Sequence, residues 1–368
     1  MPQGAPGMQL NLIAPICDTG YGTVGLNLLL ALARAGHEPA LFPRGQIEAD
    51  NAHAEVIQAA LARRAGPGLE APTVTLAQHA APDLLYRVGR GPHAVFVIFE
   101  LDTFEPDELY RMGSADRIIT CSQWGAEVLA KNGLPGERLR VVPLGVDSDL
   151  FTNPPNPAPR NDNETLFFST GKFEFRKGYD FLSVAFSQAF TPEDPVRLVL
   201  HAWNAFLGDE YNQTWVDLFA NTPMANHVEI SRERFETQEP LAGLMARADC
   251  GLFLSRAEGW NLGLLEMMAL GKPVIATNYS GHTEFVNEQN CRLIDITETD
   301  PANDGLAFQG QGNWAMLDAP QAQQAIAHLR AVHEAKQAGT LAPNTAGIET
   351  ARQFSWDAAA ARLIEAVI

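Results

Sequence analysis

Apolar residues fall into two rhythms along this chain. Short unbroken runs of strand length alternate with stretches in which apolar positions recur every three or four residues, the helical period. In the first 150 residues, the runs Met8–Ile16, Pro39–Pro43, Pro72–Leu76, Asp83–Val88, Ala94–Phe99, Arg117–Thr120 and Leu139–Val142 predict strands. Between them, Val24–Ala35, Asn51–Arg64 and Glu105–Met112 predict helices, as does the stretch from Ser122, a good N-cap side chain, to Lys131. Gly36 stands where such a first helix would close. The segment Asn153–Asn163 holds four prolines and four asparagines, the composition of a linker.

Beyond it the alternation resumes. Strands are expected at Thr165–Ser169, Arg197–His201, His227–Ile230, Cys250–Leu254, Val274–Ala276 and Cys291–Ile294. Helices are expected at Tyr179–Phe190, Pro240–Ala248, Leu262–Leu270, Ala319–Ala335 and Trp356–Val367, and the glycine- and asparagine-rich stretch Asn303–Asn313 reads as a surface loop. Strands alternating with helices on both sides of a linker predict an α/β protein of two Rossmann-like, doubly wound domains. The expected division is residues 1–150, 151–352, and a terminal helix over 353–368.

Composition narrows the partners. At 368 residues and 46% apolar content the chain can bury two cores. Acids outnumber bases 44 to 26, for a formal net charge of −18, which argues against nucleic acid and anionic membrane surfaces as partners. The short basic candidates are Arg63–Arg64 and Arg87 with Arg90. No apolar run approaches the ~18 residues of a membrane span, and the first residues lack the pattern of a signal peptide. Cys17, Cys121, Cys250 and Cys291 are scattered, without a CxxC pair, so neither a disulfide framework nor a zinc site is expected. A cytoplasmic protein is the expectation.

Three motifs carry candidate chemistry. Gly20, Gly22 and Gly25 match the spacing of a dinucleotide fingerprint after the first strand, but three residues intervene and the second strand ends without an acid, at Arg44. The turn admits three readings: a nicotinamide site, another ligand approaching the helix N-terminus, or simple packing. The second motif runs from Gly171 to Gly178, with Lys172, Arg176 and Lys177 between a strand and a helix. Such cations could clamp a diphosphate or form a solvated basic loop. The third is Glu258 and Glu266, eight positions apart around a helix start. Carboxylates there can accept hydrogen bonds from sugar hydroxyls, while the amides of Gly259, Trp260, Asn261 and Leu262 open the helix toward phosphate oxygens. The plain reading of Glu266 is a carboxylate on the helix surface.

Four blocks in order resemble the retaining GT-B glycosyltransferases of family 4, also called glycosyltransferase group 1. They are Cys121–Leu129 with Val141–Asp147 and Phe151; Gly171–Gly178; Ser255–Gly281 with its E-x7-E spacing, continued to Phe285; and Phe354–Trp356 before the last helix. The resemblance implies two domains facing across a cleft, with the last helix crossing back to the first. It implies a nucleotide diphosphate sugar as donor substrate, no cofactor and no metal, Asp147 and Asp149 notwithstanding. Lys172 and Lys177 would stabilise the β-phosphate with Arg176 beside them, Glu266 would bind the ribose, and Glu258 would lie against the donor sugar. Gly22 would lie near the diphosphate once the cleft closes. Lys172 stands where the family usually has arginine, Gly263 where many members have proline, and Glu100 where many have histidine. The acceptor-side candidates are therefore Glu100, Asp102 and His93. The acceptor class implied is a glycan, a lipid-linked molecule or a small molecule; oligomeric state is not written in the sequence. Two other functions fit parts of the pattern: a nicotinamide-dependent oxidoreductase built on Gly20–Gly25, and a non-catalytic GT-B-like module that binds a nucleotide sugar or glycan.

Overall fold

A computed structural model describes residues 7–66, 68–78, 82–154, 160–235 and 237–368. The chain forms two compact units, one of Met1–Asp147 with Gln353–Ile368 and the other of Ser148–Arg352. In the first unit six parallel strands, β1 (Gln9–Ala14), β2 (Glu38–Pro43), β3 (Thr73–Gln78), β4 (His93–Ile98), β5 (Arg117–Thr120) and β6 (Leu139–Val141), pair in the order β2-β1-β3-β4-β5-β6. β4 is buried from end to end, and Val95, Val97, Phe99 and Ile118 pack with Met112, Val128 and Leu129 from the helices Pro106–Gly113 and Gln123–Lys131. A strand covered on both faces has no polar side, which is why these runs are uninterrupted in sequence.

The second unit repeats the plan. β7 (Thr165–Thr170), β8 (Val196–His201), β9 (Val228–Ser231), β10 (Cys250–Phe253), β11 (Val274–Thr277) and β12 (Arg292–Ile294) are parallel and ordered β12-β11-β10-β7-β8-β9. Its core is aromatic, with Phe167, Phe186 and Phe190 clustered and Phe173 stacked on Trp215. Strand order reverses between β7 and β10, so the loops leaving these two neighbours diverge to opposite faces. A crevice opens at such a point, at the strands' carboxyl ends.

The last helix, Trp356–Val367, belongs to the first unit. It packs on the helix Gly20–Arg34, and an Arg34–Asp357 ion pair of 2.7 Å ties the two. Val146 bridges to Ser355, its N–H reaching the Phe354 carbonyl at 2.9 Å, and Gly145 leaves room for the Trp356 backbone where any side chain would collide.

Several elements differ from their expectation. The strand expected at Asp83–Val88 is absent: Pro82–Leu85 is a 3-10 turn and the backbone beyond it stays outside the sheet. β3 pairs with β1 on one side and β4 on the other, leaving no edge for that run to join. The expected loop Asn303–Asn313 is largely an antiparallel hairpin of β13 (Thr299–Asn303) and β14 (Gln309–Ala315), pinned by Phe308 against Trp314. The helix Gly208–Ala220 was not anticipated, although Asn212, Trp215 and Phe219 bury one face at helical spacing. Within the expected linker, residues 155–159 lie outside the described ones. No helix among the described residues is long and apolar enough to cross a membrane.

Candidate active site

In the second unit the candidate residues cluster in the two loops at the strand-order reversal. β7 ends at Thr170, and Gly171 (φ +133°) turns the chain into a single 3-10 turn, Phe175–Lys177. Gly178 (φ +71°) then opens the helix Tyr179–Ala189. A side chain at Gly178 would run into the Leu254 carbonyl at the end of β10, so glycine is required both for its left-handed backbone and for the approach of the two loops. Arg256 closes the junction: it forks onto Asp180 with two contacts of 2.8 Å and lies on the Phe175 ring at 3.7 Å.

Glu258 is buried between two cations. Its Oε1 meets Lys177 Nζ at 2.7 Å and its Oε2 meets Arg176 at 3.2 Å. Arg176 continues to Glu174 at 2.8 Å, and Glu174 to Lys172 at 2.9 Å. Three cations and two carboxylates thus alternate in one chain. Burial works to raise the Glu258 carboxyl, but the charges of Lys177 and Arg176 outweigh it and hold it below the usual carboxylate range. Glu174 is half-buried, and Arg176 and Lys172 outweigh that desolvation and bring it down to about 2. Both carboxylates are therefore ionised at neutral pH.

Glu266 is the opposite case. It lies inside the helix Leu262–Ala269, 6% exposed, and burial alone pushes its carboxyl up to about 7. Among the described residues no hydrogen bond or ion pair reaches that carboxyl. The helix start before it is unusual: Asn261 is left-handed (φ 79°) and its Oδ1 accepts from the Leu264 amide at 3.3 Å. Trp260 is buried against Phe285 at 4.9 Å between ring centres, so its side chain packs as core. The second loop is backed by the segment after β11, where the Glu258 amide donates to Ser280 Oγ and the Gly281 amide to the Glu258 carbonyl, both at 2.8 Å. Ser280 itself has φ 69° and ψ −153°, a region nearly closed to residues other than glycine and costing about 1–3 kcal/mol.

Sequence reasoning missed Glu174, Asp180, Arg256 and Ser280. Glu174 sits inside a motif read only for its cations, and nothing local marks Ser280 as a partner of Glu258.

In the first unit, Gly22 lies buried in the first turn of the helix Gly20–Arg34, and a side chain there would strike the Cys17 backbone; one at Gly25 would strike the Pro15 carbonyl. Packing alone accounts for both glycines, while Gly20 faces open space. β2 ends at Pro43 without an acid at its carboxyl end, and Arg44 donates to the Leu76 carbonyl at 2.8 Å, so the ribose-binding acid of a dinucleotide site is lacking there. Tyr21 Oη donates to the Ile98 carbonyl at 3.2 Å, bringing the glycine turn beside the carboxyl end of β4, where Glu100 is buried two residues on. His93 is at the other end of that strand, its ring on Thr75 Oγ1 at 3.1 Å and its amide on Asp116; burial holds its pKa down. It is a core histidine. Among the described residues no group of three or more His, Cys, Asp or Glu is placed to hold a metal ion.

The Glycosyl transferases group 1 family matches residues 152–306. The GDP-mannose:cellobiosyl-diphosphopolyprenol alpha-mannosyltransferase of Xanthomonas campestris is 26% identical over 181 residues, 48% of this chain. The match spans 44% of that relative's length. Among solved structures, sucrose-phosphate synthase of Thermosynechococcus elongatus superposes with a TM-score of 0.70 at 18% identity, covering 97% of this chain and 98% of that one. The Anabaena protein Alr3699/HepE, solved with UDP-glucose, gives a TM-score of 0.66 at 17% identity over 97% and 98% of the two chains. These likenesses extend the fold over nearly the whole length. Residues 152–306 of the second unit are thus similar to the group 1 glycosyl transferases, and the two Rossmann-like units with a last helix returned to the first give the chain the GT-B fold.

Proposed function

We propose that this protein transfers a sugar from a nucleotide diphosphate sugar to an acceptor hydroxyl with retention at the anomeric carbon. The observation that carries the reading is the strand-order reversal of the second unit, where the loop after β7, with Lys172, Arg176 and Lys177, meets the loop carrying Glu258, and the unpartnered carboxyl of Glu266 lies in the adjoining helix. Lys177 and Arg176 hold a buried carboxylate in this structure, and a diphosphate offers them the same geometry with more charge. As the bond from the anomeric carbon to the phosphate oxygen breaks, these cations and the amides of Gly259–Leu262 stabilise the charge left on the leaving group. The acceptor oxygen bonds to the same face, and its proton passes to the departing phosphate. Glu266 takes the ribose hydroxyls and Glu258 lies against the donor sugar.

On this reading residues 151–352 are the donor domain and residues 1–150 the acceptor domain, completed by the helix over 353–368. Gly22 and Glu100 lie on the acceptor side. The mannosyltransferase named for GDP-mannose and the Anabaena structure with UDP-glucose point to a hexose carried on UDP or GDP. The acceptor is a glycan, a lipid-linked molecule or a small molecule, and four free cysteines suit the reducing cytoplasm.

A thermal-shift screen against UDP-, GDP-, ADP- and dTDP-sugars tests the reading, followed by assay of donor hydrolysis. A ligand at 100 times its Kd adds about 2.7 kcal/mol of stability, a shift well above noise. Stabilisation by NADPH with none by any nucleotide sugar would sink the proposal. Tight donor binding with no transfer and no hydrolysis would reduce the protein to a binding module.

A further inference from the structure

We infer that Ser280 is a positioning residue that sets the place of Glu258, an assignment resting on the transferase reading above. Ser280 follows β11 and is buried, with a backbone conformation (φ 69°, ψ −153°) that glycine adopts freely and serine does not. Only one other non-glycine among the described residues has positive φ, and that is Asn261, a residue type that tolerates the left-handed region. Glycine follows immediately at 281, where a side chain would meet the carbonyls of Gly259 and Glu258. A serine kept in a glycine conformation must therefore be supplying its hydroxyl.

That hydroxyl accepts the Glu258 amide at 2.8 Å and donates to the Tyr279 carbonyl at 2.6 Å. With the Gly281 amide on the Glu258 carbonyl at 2.8 Å, the backbone of Glu258 is gripped on both sides by one short segment. Thr277 Oγ1 adds a third tie, to the Ser255 carbonyl at 2.6 Å. Among the described residues no hydrogen bond joins Ser280 to Lys172, Arg176 or Lys177. It acts through the backbone that carries the Glu258 carboxylate, whose contacts with Lys177 and Arg176 depend on where that backbone lies.

Two substitutions separate this role from plain packing. Ser280→Ala and Ser280→Gly both remove the hydroxyl, but only glycine also relieves the backbone. If the hydroxyl positions Glu258, both variants lose kcat alike, by about 10- to 100-fold. Affinity for the nucleoside diphosphate product then changes less than about threefold, while S280G melts about 2–8 °C above S280A. Amide exchange at Glu258 quickens at least about tenfold in both. A kcat within twofold of wild type in either variant overturns the assignment, as does activity that tracks melting temperature. A wild type inactive on UDP-glucose, GDP-mannose, ADP-glucose and dTDP-glucose overturns the parent reading instead. Amide exchange then decides the contact by itself: unchanged exchange at Glu258 removes Ser280 from any positioning role.

Discussion

Lys177 joins the loop after β7 to the loop after β10 through one 2.7 Å contact with the buried Glu258 carboxylate. On the proposed mechanism its charge is needed most when the leaving group departs, so Lys177→Ala should lower kcat at saturating donor by about 10²–10³, with a smaller change in donor KM. Glu266 makes a pH-dependent prediction. Its carboxyl titrates near 4.5 when unfolded and about 7 when folded, so the folded state binds the extra proton between those values. The stability it contributes is full below about 4.5 and is lost as pH rises through 7, a loss of about 3 kcal/mol. Glu266→Gln removes that slope, and its melting temperature should gain on wild type between pH 5 and pH 8. Sugar hydroxyls favour the ionised carboxylate, so wild-type donor KM should fall as pH rises through 7, and the glutamine variant should show a flat, higher KM. Glu174 and Glu258 act on the acid side: with depressed values, they stabilise above their unfolded pKa and lose that stability as pH falls.

The elements of the second unit meet through glycine and short polar ties. Gly178→Ala places a side chain against the Leu254 carbonyl and strains a left-handed residue, so it should destabilise the protein by about 1–3 kcal/mol in chemical denaturation. It should also weaken donor binding, because the loop carrying Lys172 to Lys177 and the loop carrying Glu258 then part. Much of this layout was legible in the chain. The buried strands β7, β10 and β11 read as apolar runs, and the turns after β7 and β10 read as polar breaks with glycine. The pairing inside the site was not. Arg176 and Glu258 are 82 residues apart, and no local pattern pairs them, although the counter-charge in Glu174 stands only two residues from Arg176. The β13–β14 hairpin escaped for a related reason, since its glycines and asparagines signal a turn while its strands hold together by pairing with each other.

Over the whole molecule, two cores divide the work of folding. The last helix belongs to the first unit, with Trp356 4% exposed and Leu363 and Val367 buried beside it. Trp356→Ala should cost about 3–5 kcal/mol, and hydrogen exchange should quicken in the helix Gly20–Arg34 and in β1, while the core of β7 and β10 stays protected. Loss of protection in both units together would contradict separate cores.

Sequence alone determined the class of fold, because a strand buried on both faces must be apolar throughout and a helix on a sheet must be apolar at its own period. It also marked where the cations and the two glutamates lie, since these types interrupt an apolar pattern only at a cost. Tertiary structure decided which charges face which, and placed Glu258 between Lys177 and Arg176 with Glu266 left unpaired. It also set Ser280, which the sequence places in the Ser255–Phe285 block without a role of its own, to hold the Glu258 backbone. Ion pairing and burial depend on distance in space, and strand order, which brings β7 beside β10, is what converts separation along the chain into contact.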